Sequence, residues 1–519
     1  MTTGQRWYAP IRPAALVVVT AAATVLGAIG VLPRWPGLAH LVALPPLGLF
    51  ADLRMLMVAA PNYPVFVAGL VVSLAVRITV LAFLLGGPNR HLLAYAARYY
   101  LIVLPPALLG SVLILGAGAT LYFGLFWMGT VVVLATVALS AAAPWSAPPR
   151  LAHGYAIVLR HGLRLGTVGA YLAALTALGA VADLTRPIGP VAAIPASALL
   201  TLGTARFLRA DPGHRLARRS LAAGYAALIT VIATVAVSTP TLPRAPRPDN
   251  PRPGSLMLMS GVDSSSGSGA ILEIDPHTLG YTCAQTYYYS YAGPGTGQPR
   301  NAAKCPITTG APYQPVDTLR PTEELITFLD DQLADLPPPV VLITHSQGVW
   351  ITWQAAVAHR LPNVAALVLI GPFPTNPVPY PRHGEAGVSK VAAGVTRLVS
   401  GTARPGGTSV FTPDSPLGRE WLAHPTAIQA TLAQPPPDNL RILSVPSVFD
   451  LPLMPTGPTL PAVTNHCPIP VIHPDLPYSA EFQRSVTQFL DHDLVARCPP
   501  WRHAIGPMFR PFSVPAWDA

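Results

Sequence analysis

Apolar and polar positions alternate in two different ways along the 519 residues. In the first half the apolar positions come in long blocks. A spanning helix needs about 20 mainly apolar residues, because at about 1.5 Å per residue it must cross about 30 Å of hydrocarbon. Seven runs qualify, near 14–32, 64–86, 93–116, 119–142, 165–183, 189–207 and 220–238. They predict an N-terminal all-α membrane bundle of about seven transmembrane helices over 1–238. The third and fourth are expected to meet at a tight turn around Gly116 and Gly118. An eighth run, "LVALPPLGLFADLRMLMVAA" at 41–60, is interrupted by Pro45-Pro46 and carries Asp52 and Arg54. Both charges are expensive at mid-bilayer, so this run is read as interfacial or re-entrant.

In the second half the apolar runs are short. The stretch "TPTLPRAPRPDNPRPGS" at 239–255 suits an extended spacer. After it, strands are expected near 256–260, 284–290, 340–344, 366–370, 441–446 and 468–472, and helices near 320–335, 347–360 and 479–492. Alternating strands and helices predict a mostly parallel sheet with helices on both faces, over 256–519.

Composition sharpens this division. The chain is 51% hydrophobic and only 11% charged, well below the charged quarter of an ordinary soluble domain. Residues 1–243 hold 16 Arg, no Lys and three acids (+13), and the remainder holds 17 basic and 20 acidic residues (−3). Cytoplasmic loops retain Arg and Lys. With the amino terminus inside, 12 Arg fall in cytoplasmic segments and only Arg34, Arg54 and Arg186 fall outside. Seven crossings then leave the second half outside the cytoplasm, and counting 41–60 as a span would spoil the asymmetry. The first run lacks a small-residue cleavage site and reads as a retained anchor. Arg77 falls inside a span: it pairs with a group on another helix or lines a polar cavity, or, more simply, it snorkels or the span edge is displaced. The membrane half has no chain of acidic residues, which argues against an ion-driven pump. The pI of 9.6 comes from loop arginines rather than a basic stripe with interleaved aromatics, so nucleic acid is not an expected partner.

All four cysteines, Cys283, Cys305, Cys467 and Cys498, follow the last apolar block. An even number in the segment assigned to an oxidising compartment predicts two disulfides. Chain order suggests Cys283–Cys305 and Cys467–Cys498, out of three connectivities. A zinc site on His466, Cys467 and His473 lacks the paired ligand spacing such sites use.

The stretch "VVLITHSQGVW" at 340–350 places Ser346 between an expected strand and an expected helix. A sharp strand-to-helix turn there would lift the hydroxyl clear of the sheet, and Gly348 supplies a small residue two positions on. Thr344 stands where such motifs usually carry a first glycine. The bland alternative is a buried strand followed by a polar helix cap. A serine nucleophile needs a histidine to take its proton and a carboxylate to hold that histidine. Asp450 follows the strand in "RILSVPSVFDLPLMP", and His473 follows the next in "PVIHPDLPYSAEFQRSVTQFL". The order Ser, acid, His fits. His466 is a rival base that falls before the expected last strand, and Asp475 is a rival acid lying very close to His473. Expected oxyanion donors are the backbone N–H of Gln347 and, from "LMLMSGVDSSSGSGA" at 256–270, that of Val262, with Gly261 beside it. A Gly/Ser-rich loop also suits a plain linker.

Together these segments, with "YYYSYAG" and "PYQPVDT", resemble the α/β-hydrolase lipases and esterases in order and spacing over about 255–492. The resemblance implies an α/β-hydrolase fold, hydrolysis of a carboxylic ester through an acyl-serine, and no metal or organic cofactor. It also places a cap over the site at 371–438. The membrane half lies outside the usual lipase pattern, and Arg/Ala/Pro-rich, Lys-poor usage has the character of a high-GC actinobacterium. The expected function is a membrane-anchored extracytoplasmic serine hydrolase, with membrane lipids and a lipid or acylated envelope ester as partners. An acyltransferase using the same triad is a second expectation. A transport or assembly protein with a hydrolase-like binding module is a third.

Overall fold

The structure, a computed structural model, describes residues 10–33, 35–120, 123–161, 164–209, 250–361, 363–372, 381, 384–387, 389–403, 411–423, 430–450, 459–492, 498–499 and 501–502. The expected span at 220–238, most of the 239–255 spacer and parts of the 371–438 cap segment lie outside these residues. Two compact units emerge, one built on 1–239 with 383–396, the other on 240–382 with 397–506.

In the first unit five helices among the described residues are long and apolar enough to cross a membrane: Tyr63–Leu85, Arg90–Ala117, Gly124–Ser146, Leu165–Leu184 and Gly189–Arg209. On length and composition the chain is a multi-pass membrane protein. The first apolar run departs from the expected span. Its helix, Ala14–Ala28, has 15 residues and measures about 22 Å at about 1.5 Å per residue. It stops short because the backbone turns at Gly30, where φ is 79°. The tight turn expected around Gly116 and Gly118 does not fall on those residues: the helix continues through both to Thr120, and the next one starts at Phe123. In hydrocarbon a glycine keeps its helical hydrogen bonds, since no water competes for them.

The 41–60 run holds a 13-residue helix, Leu47–Ala59, buried along most of its length and too short to span. Asp52 on it accepts from Arg77 Nε at 2.8 Å and from Nη2 at 2.7 Å, and Ser73 Oγ donates to the same carboxylate. Arg77 Nη2 also donates to the carbonyls of Leu41 and Gly48, at 2.6 and 3.0 Å. Arg77 therefore neither snorkels nor marks a displaced span edge: it lies within Tyr63–Leu85 and pairs across helices. Asp52 and Arg77 are tolerated in the interior because each charge is met by the other and by hydrogen bonds. Arg54 is also buried, with its guanidinium 5.1 Å from the centre of the Trp35 ring.

Among the described residues the second unit is built on six parallel strands: β1 Ser255–Met259, β2 Thr286–Tyr288, β3 Val340–His345, β4 Val364–Ile370, β5 Arg441–Val445 and β6 Thr464–Asn465. Their spatial order is β2-β1-β3-β4-β5-β6. The two central strands β1 and β3 are buried at every position, as strands covered on both faces must be. One face, carrying Leu256, Leu258, Val341, Ile343, Val368 and Leu443, packs with Phe482, Val486 and Phe489 of the helix Ala480–His492. On the other face the helix Gln347–Val357 lies close enough for the hydroxyls of Thr344 and Thr352 to sit 3.3 Å apart.

The edges of the sheet differ from expectation. The last strand is Thr464–Asn465 rather than 468–472, and only an isolated bridge, Ser447 to Ile469, survives in the expected segment. Pro468 and Pro470 flank Ile469 and have no N–H to give a ladder, so a run that reads as apolar cannot pair as a strand. Both disulfides connect as chain order suggests, Cys283–Cys305 and Cys467–Cys498. Cross-links of this kind are consistent with an extracytoplasmic domain.

Candidate active site

In a parallel sheet ligands bind beyond the carboxyl ends of the strands, at the crevice where successive connections leave in opposite directions. Here that crevice falls between β1 and β3, because the order runs β2-β1 one way and β3-β4-β5 the other. Ser346 directly follows β3 and Gly261 lies just past β1. Asp450 follows β5, and His473 follows the Ile469 bridge. The residues singled out in the sequence therefore gather at one edge of the sheet.

Ser346 adopts φ 56° and ψ −118° and precedes the first residue of the Gln347–Val357 helix. An L-residue rarely occupies this region, and held strain of this kind clusters at functional sites. The surroundings hold it there: Ser346 N–H donates to Ile370 O at 2.9 Å. A Cβ on Gly261 would stand 2.7 Å from Ser346 Cβ and 3.0 Å from His345 O. Only a glycine lets the β1 loop come this close. As the first residue of its helix, Gln347 has a backbone N–H with no acceptor in the preceding turn. Its side chain donates to Thr318 O.

Asp450 is fully buried and accepts from His473 Nδ1 at 2.7 Å. That bond fixes the tautomer and leaves Nε2 as the basic nitrogen. The loops carrying the two residues are stitched together. Val448 N–H donates to Ile469 O at 2.9 Å, Ile469 N–H to Pro446 O at 2.8 Å, and Ser447 Oγ to Val471 O. The two rivals named from sequence are placed differently. His466 follows the last strand after all, because the ladder ends at Asn465. Its imidazole is buried, however, with Nδ1 2.6 Å from Cys467 O and Nε2 2.7 Å from Ser485 Oγ. Asp475 is exposed to solvent. The set His466, Cys467 and His473, which lacks the spacing of a zinc site, is also engaged elsewhere, with Cys467 in a disulfide and both imidazoles hydrogen-bonded.

Two neighbours of the site were not among the sequence candidates. His345 Nε2 donates to the backbone carbonyl of His473 at 3.1 Å, and the two rings lie 4.6 Å apart. Burial, and then the adjacent His473, push the His345 pKa down from 6.5 to about 3. His345 is thus a neutral donor at physiological pH. Gly371, just after β4, has φ 63°, and a Cβ there would stand 2.4 Å from His473 Cε1. The sequence signal for Gly371 is a glycine closing the apolar run of β4. His345 carries no signal beyond its place beside Ser346.

The β1 loop is supported from behind. Ser264 Oγ donates to Gly261 O at 2.7 Å and accepts from Tyr313 Oη at 3.2 Å, while Tyr291 Oη donates to Ser260 O at 2.5 Å. Fold and site together define a multi-pass membrane protein carrying a parallel α/β domain with a serine, histidine and aspartate at its carboxyl edge. No family model, curated protein or solved structure matches the chain.

Proposed function

We propose that the chain is a membrane-tethered serine ester hydrolase of α/β-hydrolase type. It would act outside the cytoplasm on lipid or acylated cell-envelope esters and need no metal or organic cofactor. The observation that carries this reading is the 2.7 Å bond from His473 Nδ1 to a fully buried Asp450, at the same sheet edge as a serine at φ 56° on a strand-to-helix turn. In this reading Ser346 Oγ attacks the ester carbonyl carbon and passes its proton to His473 Nε2. Asp450 stabilises the imidazolium that forms. The carbonyl oxygen becomes an oxyanion facing the N–H groups of Gln347 and Val262. Collapse expels the alcohol, which takes the proton from His473 and leaves an acyl-serine, and water repeats the sequence to release the acid. The arginine asymmetry of the membrane half and the two disulfides of the other support an extracytoplasmic site.

Labelling of the detergent-purified full chain with a fluorophosphonate tests this. Wild type should be modified stoichiometrically and Ser346→Ala not at all, with His473→Ala slowed by about 10³-fold or more. Folded wild type that takes up no probe, or labelling that survives Ser346→Ala, would overturn the reading.

A further inference from the structure

The peptide joining Gly261 to Val262 is planar and trans, so its carbonyl and its N–H point in opposite directions. Whatever holds the Gly261 oxygen therefore aims the Val262 N–H. That oxygen accepts from Ser264 Oγ at 2.7 Å and from Ser264 N–H at 3.4 Å, closing a turn over 261–264 with Asp263 at φ 65°. Val262 N–H itself makes no hydrogen bond among the described residues. A hydroxyl has one proton to give. The Ser264 hydroxyl is buried and accepts from Tyr313 Oη at 3.2 Å, which leaves its proton for Gly261. Tyr313 is in turn fixed through its backbone, with N–H donating to Ser266 Oγ at 2.7 Å and its carbonyl accepting from Ser266 N–H at 3.2 Å. A chain of this kind both orients the peptide and polarises it, making its N–H a better donor.

We propose that Ser264, backed by Tyr313, is a positioning residue that aims the Val262 N–H at the developing oxyanion; this rests on the ester-hydrolase reading of the same site. The run "DSSSGSG" is then part of the site's supporting frame rather than a linker. Its contribution is realised in the transition state, where the carbonyl oxygen becomes charged, and not in ester binding.

The test uses the full chain in detergent, a p-nitrophenyl ester and a trifluoromethyl ketone, whose adduct with an active serine carries an oxyanion. Removing an oxyanion donor outright costs about 10²–10³ in kcat, and a misaimed donor retains part of its effect. Ser264→Ala should therefore lower kcat by about 10–100-fold, leave KM within about twofold, and raise the ketone Ki in step with the loss of kcat/KM. Ser264→Thr, which keeps the hydroxyl, should return to within about threefold of wild type, and Tyr313→Phe should show the same split at about 3–10-fold. Wild-type kcat and Ki in Ser264→Ala, with Ser346→Ala inert, overturn this role and leave the hydrolase standing. Should Ser264→Ala lose its cooperative melting transition, Tyr313→Phe decides, and an unchanged ketone Ki there overturns the role. Ester cleavage absent from wild type, or surviving Ser346→Ala, overturns both.

Discussion

The candidate base is held by contacts that leave no room for extra atoms. Gly371→Ala would force a methyl against the imidazole of His473 at a backbone angle that disfavours any side chain. Displacing a catalytic group by about 1 Å costs on the order of 10²-fold in rate. The variant is expected to lose about that much kcat/KM on an activated ester, and of fluorophosphonate labelling rate, while keeping its apparent melting temperature within a few degrees. The gathering of Ser346, Asp450 and His473 at one end of the sheet was legible in the sequence because each follows an apolar run. Gly371 and His345 were not, since both act through contacts between loops far apart in sequence. His466 shows the converse: excluding it by its place relative to an expected strand failed. Its engagement by Ser485 and Cys467 is what occupies it.

At the level of elements, the Leu47–Ala59 helix is held against Tyr63–Leu85 by the Asp52–Arg77 pair. Breaking such a pair from one side leaves a buried charge uncompensated at a cost of about 3–5 kcal/mol, whereas replacing both partners with apolar residues is often neutral. Asp52→Leu should lower the apparent melting temperature in detergent, and Asp52→Leu with Arg77→Met should recover most of the loss. Equal destabilisation by the single and double variants would count against a pair acting as a unit. The sequence identified both members but could not join them, because the pairing depends on a short helix lying beside a long one. Central strands were legible because full burial demands unbroken apolar runs. The sheet's edge was not, because Pro468 and Pro470 remove the donors a ladder needs while leaving hydropathy high. The first helix shows the same limit: hydropathy continues past Ala28, and the helix does not.

At the scale of the whole molecule, acid should act on the α/β unit through its buried histidines. His345 has a folded pKa of about 3 against an ordinary 6.5, and burial also lowers that of His466. An unfolded chain takes up these protons below about pH 6.5, and the folded one resists them. The stability from keeping His345 neutral is therefore fully present above that pH and is lost progressively as pH falls toward 3. His345→Gln should show a shallower fall in apparent melting temperature between pH 6.5 and 4, and an unchanged slope would show that His345 is not the group responsible. The two disulfides sit in the same unit, and one has a consequence in time. Cys467 shares the loop that presents His473, and its partner Cys498 lies beyond the Ala480–His492 helix. In the proposed reading, the covalent brace on the loop bearing the candidate base forms only after that later stretch has been made, exported and oxidised. A newly made chain of such a hydrolase would carry a shaped serine before its base was fully braced, and would stay mute until it reached its destination.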